Sequence, residues 1–297
     1  MLVNPRGTAA LRNLKSREIQ DSDISEVVTL LTRGFGRQRS RKFWQHVLAR
    51  LASRSVPAGF PRYGYVLEND EKFVGVVLAI YATVWIGDRP TTRCNVSSWY
   101  VEPAFRSYAP FLAMRVLKKR NVTILNVSAM PHTRSIAVAQ GYTRYSNGTF
   151  IAIPILSRNS NTMPVRIIES HTEPDVPFNV HDRELLLEHA DYGCVSLWCV
   201  TPERAYPFVF RSRMLKGVLR CMQLIYCSDL SEFVRFAGPI GAFLTRKMQF
   251  LVMLDANSPL QGLVGRYFPD KMIKYFSGPE HPRLGDLAYT ETAMFGI

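Results

Sequence analysis

The sequence predicts an α/β (α+β) protein in two domains. Three observations point there. The chain has 297 residues, about twice the length of a common domain. Its first half alternates between helical spacing of apolar residues and runs with strand character. A faint second copy of one strand–helix–strand order follows later in the chain. Apolar residues make up 47% and charged residues 21%, a globular balance that excludes disorder as the main state.

The elements follow in order. Asp21-Ser22-Asp23 is an acidic cap before Ile24, Val27, Val28, Leu30 and Leu31, whose spacing of three and four marks an amphipathic helix. A second helix runs from about Arg41 to Arg54, with Phe43, Val47, Leu48 and Leu51 on one face. Pro57, Gly59 and Pro61 end it. Tyr63 to Glu68 and Phe73 to Trp85 read as partner strands around the turn Asn69-Asp70-Glu71, with Gly75 marking a bulge. Gly87-Asp88-Arg89-Pro90 is a turn, and Val96 to Val101 is a strand. Arg106 to Arg120 is a helix, Val122 to Val127 a strand, and Thr133 to Gln140 a short helix stopped by Gly141. Thr149 to Leu156 is the last strand of this half. The order is α, α, β, β, β, α, β, α, β, with room for a strand before Asp21.

Ser157 to Pro164 is polar and reads as a linker. The expected domains are therefore 1–156 and 165–297, joined by 157–164. Tyr100 through Pro131 holds a strand, an Arg-containing loop, a helix, a strand and a proline. Leu224 through Pro259 repeats that order, with Arg235 and Gly238-Pro239-Ile240-Gly241 in the corresponding stretch. Pro110 to Pro239 is an offset of 129, and Pro131 to Pro259 one of 128. Duplication and two unrelated units of a common kind both fit.

The charge is one-sided. Residues 1–156 hold 22 Lys/Arg against 9 Asp/Glu, and residues 157–297 hold 15 of each, so the first half carries the entire +13. An anionic partner for that half follows. Five cysteines, at 94, 194, 199, 221 and 227, form no C-x-x-C and are odd in number, which argues against a disulfide scaffold or a zinc ribbon. Met1 to Lys15 lacks the apolar run of a secretory signal. The longest uncharged stretch, Phe73 to Gly87, is too short for a spanning helix and reads as a buried strand. A cytoplasmic protein with no membrane span and no metal is expected.

The segment Val96-Ser-Ser-Trp-Tyr-Val101-Glu-Pro103-Ala-Phe-Arg106-Ser107-Tyr108-Ala109-Pro110-Phe111 resembles the pyrophosphate loop of the GNAT superfamily of acyl-CoA N-acyltransferases. There a strand ending in hydrophobic-x-Pro leads to Arg-Gly-x-Gly-x-Gly/Ala and a helix. The element order over roughly residues 15–155, and Gly141-Tyr142 in place of a helix-to-strand Gly-Phe, are similar too. The resemblance implies a mixed, mainly antiparallel sheet flanked by helices, followed by a second, degenerate GNAT-like or cap domain. It implies acetyl-CoA or another acyl-CoA as co-substrate, and a small-molecule or peptide acceptor bearing an amine or hydroxyl. Tyr100 and Val101 would present backbone groups to the pantetheine arm. Arg106, Ser107, Tyr108, Ala109 and Phe111 would surround the diphosphate, where free amides and the helix dipole favour an anion. A plain strand–loop–helix connection with a solvated arginine is the other reading of the same residues.

The segment departs from that pattern. Ser107, Ala109 and Phe111 replace glycines, and Pro110 removes an amide donor. Ala137 stands where the family often has a catalytic tyrosine, and the strand from Cys94 to Val101 has no carboxylate; its polar residues are Asn95, Ser97 and Ser98. The catalytic residues are thus unassigned, with His132, Glu102, Tyr289 and Glu291 as candidates. A loop histidine, a loop charge and a solvated C-terminal strand are their bland alternatives. Glu184 and Glu188 with His181 and His189 make no convincing metal set.

The arginines between 33 and 54 fit a solvated helical face, a contact to an anionic cofactor or acceptor, or nucleic-acid binding. The last is ranked lowest, since no nucleic-acid motif accompanies them. Two functions follow as expectations: acyl transfer from an acyl-CoA, and acyl-CoA or anion binding without catalysis on the same fold.

Overall fold

In the computed structural model, which describes residues 13–157, 164–215, 217 and 219–296, the centre of the first half is a long hairpin. It joins β3 (Lys72–Ile86) to β4 (Arg89–Val101). β3 is buried from Phe73 to Ala82, as its run of β-branched and aromatic residues requires. β1 (Lys15–Glu18) and β2 (Gly64–Asn69) extend the sheet on one side, and β5 (Val122–Asn126) lies on the other. The order is β1-β2-β3-β4-β5, antiparallel except for the parallel pair β4 and β5. The β2–β3 register slips between Leu67 and Glu68, which leaves Val74 unpaired beside Gly75.

α1 (Ile24–Phe35) buries Val27, Val28, Leu30 and Leu31, and α2 (Arg41–Ser53) buries Trp44, Val47, Leu48 and Leu51. Ser40 caps α2 by accepting a hydrogen bond from Phe43 N–H at 3.2 Å. Asp23 closes the turn before α1 and pairs with Arg17 at 2.6 Å, while Glu68 binds both Lys15 and Arg17. α3 (Ala109–Leu117) starts three residues later than the spacing predicts. Pro103 and Pro110 bracket a 3-10 turn over Pro103–Tyr108, and the α-helix begins only after it.

The chain divides into two compact units: residues 1–126 with 277–280, and 127–276 with 281–297. Of the segment 157–164, expected as a linker, residues 157 and 164 lie in the second unit, and residues 158–163 fall outside the described residues.

The second unit contains α4 (Arg134–Ala139), β6 (Thr143–Ala152), β7 (Arg166–Glu169), α5 (Val180–Asp191), β8 (Val195–Val200), β9 (Ala205–Leu215), β10 (Leu219–Cys227), α6 (Leu230–Arg235), α7 (Ala237–Arg246), β11 (Val252–Ala256), β12 (Gly265–Ser277) and α8 (Glu291–Phe295). Its strand order is β12-β6-β11-β10-β9-β8-β7. Only β10 and β11 run parallel; the other neighbours are antiparallel. Phe208, Phe210, Phe233 and Phe236 fill its core. β6 starts six residues before the expected strand and ends at Ala152, because Pro154 opens a 3-10 turn. Among the described residues no helix is long and apolar enough to cross a membrane.

Candidate functional site

The site candidate is built on the edge of β4. β4 and β5 pair only from Thr92–Val122 to Asn95–Leu125. Beyond Asn95, β4 continues for six residues alongside β3, yet among the described residues no strand pairs with its other edge. From Val96 to Val101 that edge of β4 therefore carries no strand partner among the described residues, the kind of edge along which an extended ligand can pair. Within this stretch the β3–β4 register shifts between Val76 and Leu78, and Ser98 takes a φ of 51°. The extra residue is a β-bulge, which bends the strand where its partner leaves.

Tyr100 is fixed from behind. A methyl group on Gly34 of α1 would lie 2.5 to 2.9 Å from three Tyr100 ring carbons, so this helix backbone rests directly on the ring. Phe35 adds an edge contact at 6.2 Å. The side chain is held against α1 while the main chain stays at the open edge. Gly34 carries no motif and was invisible as a site residue; only the close approach reveals it.

After Val101 the 3-10 turn bonds two of its own amides, one of them, Ala109, among those expected at the diphosphate. Phe105 N–H donates to Glu102 C=O at 2.9 Å, and Ala109 N–H to Arg106 C=O. Pro110 has no N–H. Arg106 and Ser107 are exposed, and Tyr108 and Ala109 half-buried. Phe111 is 54% exposed, with its ring 6.1 Å from that of Tyr108. The turn therefore offers an anion a guanidinium and a hydroxyl more than a full cradle of amides.

The catalytic candidates are dispersed. Glu102 forms an ion pair with Arg33. His132 is exposed in the 3-10 turn Pro131–Thr133. In the second unit Tyr289 N–H donates to His189 Nε2 at 3.1 Å, and His189 Nδ1 lies 2.8 Å from Leu185 C=O, so that histidine serves the fold. Glu291 is 1% exposed and accepts a hydrogen bond from Ser128 Oγ. Several arginines of the 33–54 cluster are also engaged: Arg41 with Thr29 Oγ1 at 2.9 Å, and Arg54 with Tyr81 C=O at 2.7 Å. Burial pushes the Cys94 thiol up to about 12, so it stays protonated. Among the described residues no group of three or more His, Cys, Asp or Glu could hold a metal.

The second unit repeats the device and closes it. β10 pairs in parallel with β11 only at Met222–Val252 and Gln223–Met253, and its register with β9 shifts between Leu224 and Tyr226. Thr92 to Met222 and Val122 to Val252 are both shifts of 130 residues. Here the chain itself takes the free edge. Leu287 N–H donates to Ile225 C=O at 2.7 Å, Cys227 N–H donates to Gly285 C=O at 2.9 Å, and Tyr226 bridges Asp286. Gly238 and Gly241 lie inside α7, and Gly241 packs against the backbone of Ile155 rather than facing a phosphate.

This architecture has solved counterparts. A putative acetyltransferase from Pyrococcus horikoshii matches with a TM-score of 0.54 at 11% identity, over 96% of both chains. A GCN5-related N-acetyltransferase from Kribbella flavida matches at 0.55 and 12% identity, over 89% of this chain and 70% of that one. Eis1 from Mycobacterium abscessus matches at 0.52 and 12% identity, over 93% and 74%. The fold is GNAT-like. No family model matches the sequence, and no curated protein matches it in sequence. The GNAT-like fold extends over most of the chain, in agreement with the mixed, mostly antiparallel sheet that the resemblance implied.

Proposed function

We propose that the protein is an acyl-CoA-dependent N-acyltransferase whose acyl-CoA lies along the open edge of β4. The observation that carries this reading is the parting of β4 from β5 after Asn95, on a GNAT-like fold. The strand edge of Val96 to Val101, which has no neighbouring strand beyond Asn95 among the described residues, suits an extended arm that carries amides. Arg106 and Ser107 suit the diphosphate at its outer end, with Tyr108, Ala109 and Phe111 beside it. The reaction supported is transfer of the acyl group from sulfur to an amine or hydroxyl of a small-molecule or peptide acceptor. The new bond to carbon forms as the C–S bond breaks; the acceptor gives up a proton, and the thiolate takes one. Direct attack on a thioester mainly needs orientation and charge stabilisation at the carbonyl oxygen. The chain's contribution is a rigid strand edge held by β3 on one side and by Gly34 against Tyr100 on its face.

Calorimetric titration with acetyl-CoA and longer acyl-CoAs tests the proposal. Saturable binding is expected, and no heat or competition across the series overturns it.

A second reading, binding without turnover, is favoured by the self-bonded amides of Phe105 and Ala109 and by Ala137 in the short helix α4. Release of free thiol from acetyl-CoA in the presence of pooled amines and alcohols decides between the two. Turnover removes the second reading, and binding with no turnover removes the first.

A further inference from the structure

β4 carries a polar side chain buried without a partner. Asn95 is 2% exposed, and neither its Oδ1 nor its Nδ2 has a hydrogen bond. Both ends of a buried amide are normally satisfied, and an apolar residue of similar size would avoid the cost. The position is the last rung that β4 shares with β5, opposite Leu125. Ser97, buried on the same strand two residues on, lies with its Oγ 3.0 Å from Ser98 Oγ at the bulge.

Burial alternates along β4 from Asn95 to Val101, and the turn that follows is exposed at Arg106 and Ser107. Tyr100 is half-buried, and Asn95 is enclosed. A ligand whose phosphates lie at the outer end has its acyl group at the enclosed end. We propose that Asn95 Nδ2 donates a hydrogen bond to the acyl carbonyl oxygen of the bound thioester. Negative charge grows on that oxygen as an acceptor attacks the carbonyl carbon, so the same donor strengthens its hold during transfer. This rests on the acyl-CoA reading above and names one group of that site.

Acetyl-CoA and CoA, titrated into the purified full chain, separate the two claims, because CoA lacks the carbonyl. Asn95→Leu should lower acetyl-CoA affinity by roughly fivefold to tenfold and leave CoA affinity within about twofold, the size expected for one hydrogen bond. Its thermal midpoint without ligand should equal or exceed that of the natural chain, since an unsatisfied amide is gone. Asn95→Val repeats the measurement in a β-branched residue suited to the strand. Equal losses for both ligands, no loss for either, or a large drop in midpoint in both variants overturns the inference. A natural chain that binds neither ligand refutes the acyl-CoA reading itself.

Discussion

Replacing Gly34 with alanine should destabilise the protein, although alanine is the better helix former. In α1 the substitution gains about 1 kcal/mol of helix propensity at most. The added methyl would sit 2.5 to 2.9 Å from the Cγ and both Cδ atoms of Tyr100, the base of the ring rather than its flexible tip. The ring or the helix must move, and overpacking of this kind costs about 1–3 kcal/mol. The net is a loss of up to about 2 kcal/mol. The decisive comparison uses Tyr100→Ala as background. With the ring gone, the clash is gone, and Gly34→Ala should turn stabilising by up to about 1 kcal/mol. Urea unfolding of the four chains, followed by circular dichroism, gives the coupling between the two sites. A stabilised Gly34→Ala on the natural background, or effects that simply add, refutes the claim that this helix rests on Tyr100. Acetyl-CoA affinity should fall in Gly34→Ala as well, because the displaced ring belongs to the strand that forms the open edge.

Four further outcomes follow. Calorimetry should return one acyl-CoA per chain, because Gly285–Leu287 takes the second unit's corresponding edge; two sites would contradict that closure. Arg106→Ala should weaken CoA binding by about 1.5 kcal/mol, roughly tenfold, the low end for a charged hydrogen bond, as suits an exposed position; unchanged affinity removes Arg106 from the site. Hydrogen bonding to Arg17 holds the Asp23 carboxyl below its ordinary range; burial pushes Glu68 up, but Lys15 and Arg17 outweigh it and lower it overall. Both groups therefore add stability at neutral pH that is lost as pH falls below about 4.5 through their folded-state values, and a melting series of Arg17→Met should show a shallower acid decline. Lys274 and Asp255 form an enclosed ion pair, so Lys274→Met alone should cost about 3–5 kcal/mol while Lys274→Met with Asp255→Leu recovers most of it; thermal unfolding of both variants checks this.

The parts of the fold legible in the sequence are those where local chemistry and packing agree. α2 could be read from Phe43 to Leu51 because its apolar spacing and the following Pro57, Gly59 and Pro61 say the same thing. The start of β4 could not. Arg89 to Asn95 is polar and charged, yet it pairs on both sides from Thr92 onward, and Arg93 is buried. Tertiary pairing overrides propensity there. The loop after Val101 was legible in place but not in conformation, since it winds from Pro103 into a 3-10 turn that takes the Ala109 amide the resemblance had left open. Strand parting leaves no trace in a single sequence, because it is a property of two segments and not of either one. Its repetition does leave a trace: the order of elements recurs, while few residues match.

That pattern has a physical reason. A parallel pair that opens after two to four rungs depends on backbone direction and a bulge, and many side chains satisfy both. What the two halves do with the open edge is a different matter. In the second unit the edge binds Gly285–Leu287, a partner that is neutral in its backbone and supplied by the chain, and residues 127–276 with 281–297 hold 17 Lys/Arg against 14 Asp/Glu, or +3. In the first unit no strand among the described residues pairs with the edge beyond Asn95, and residues 1–126 with 277–280 hold 20 Lys/Arg against 10 Asp/Glu, or +10 of the total +13. Charge adds nothing to a strand that pairs with its own tail, but it attracts an anion to a strand that waits for one. The larger share of the positive charge and the strand edge without a partner thus fall in the same unit, the arrangement that the proposed anionic ligand on β4 requires.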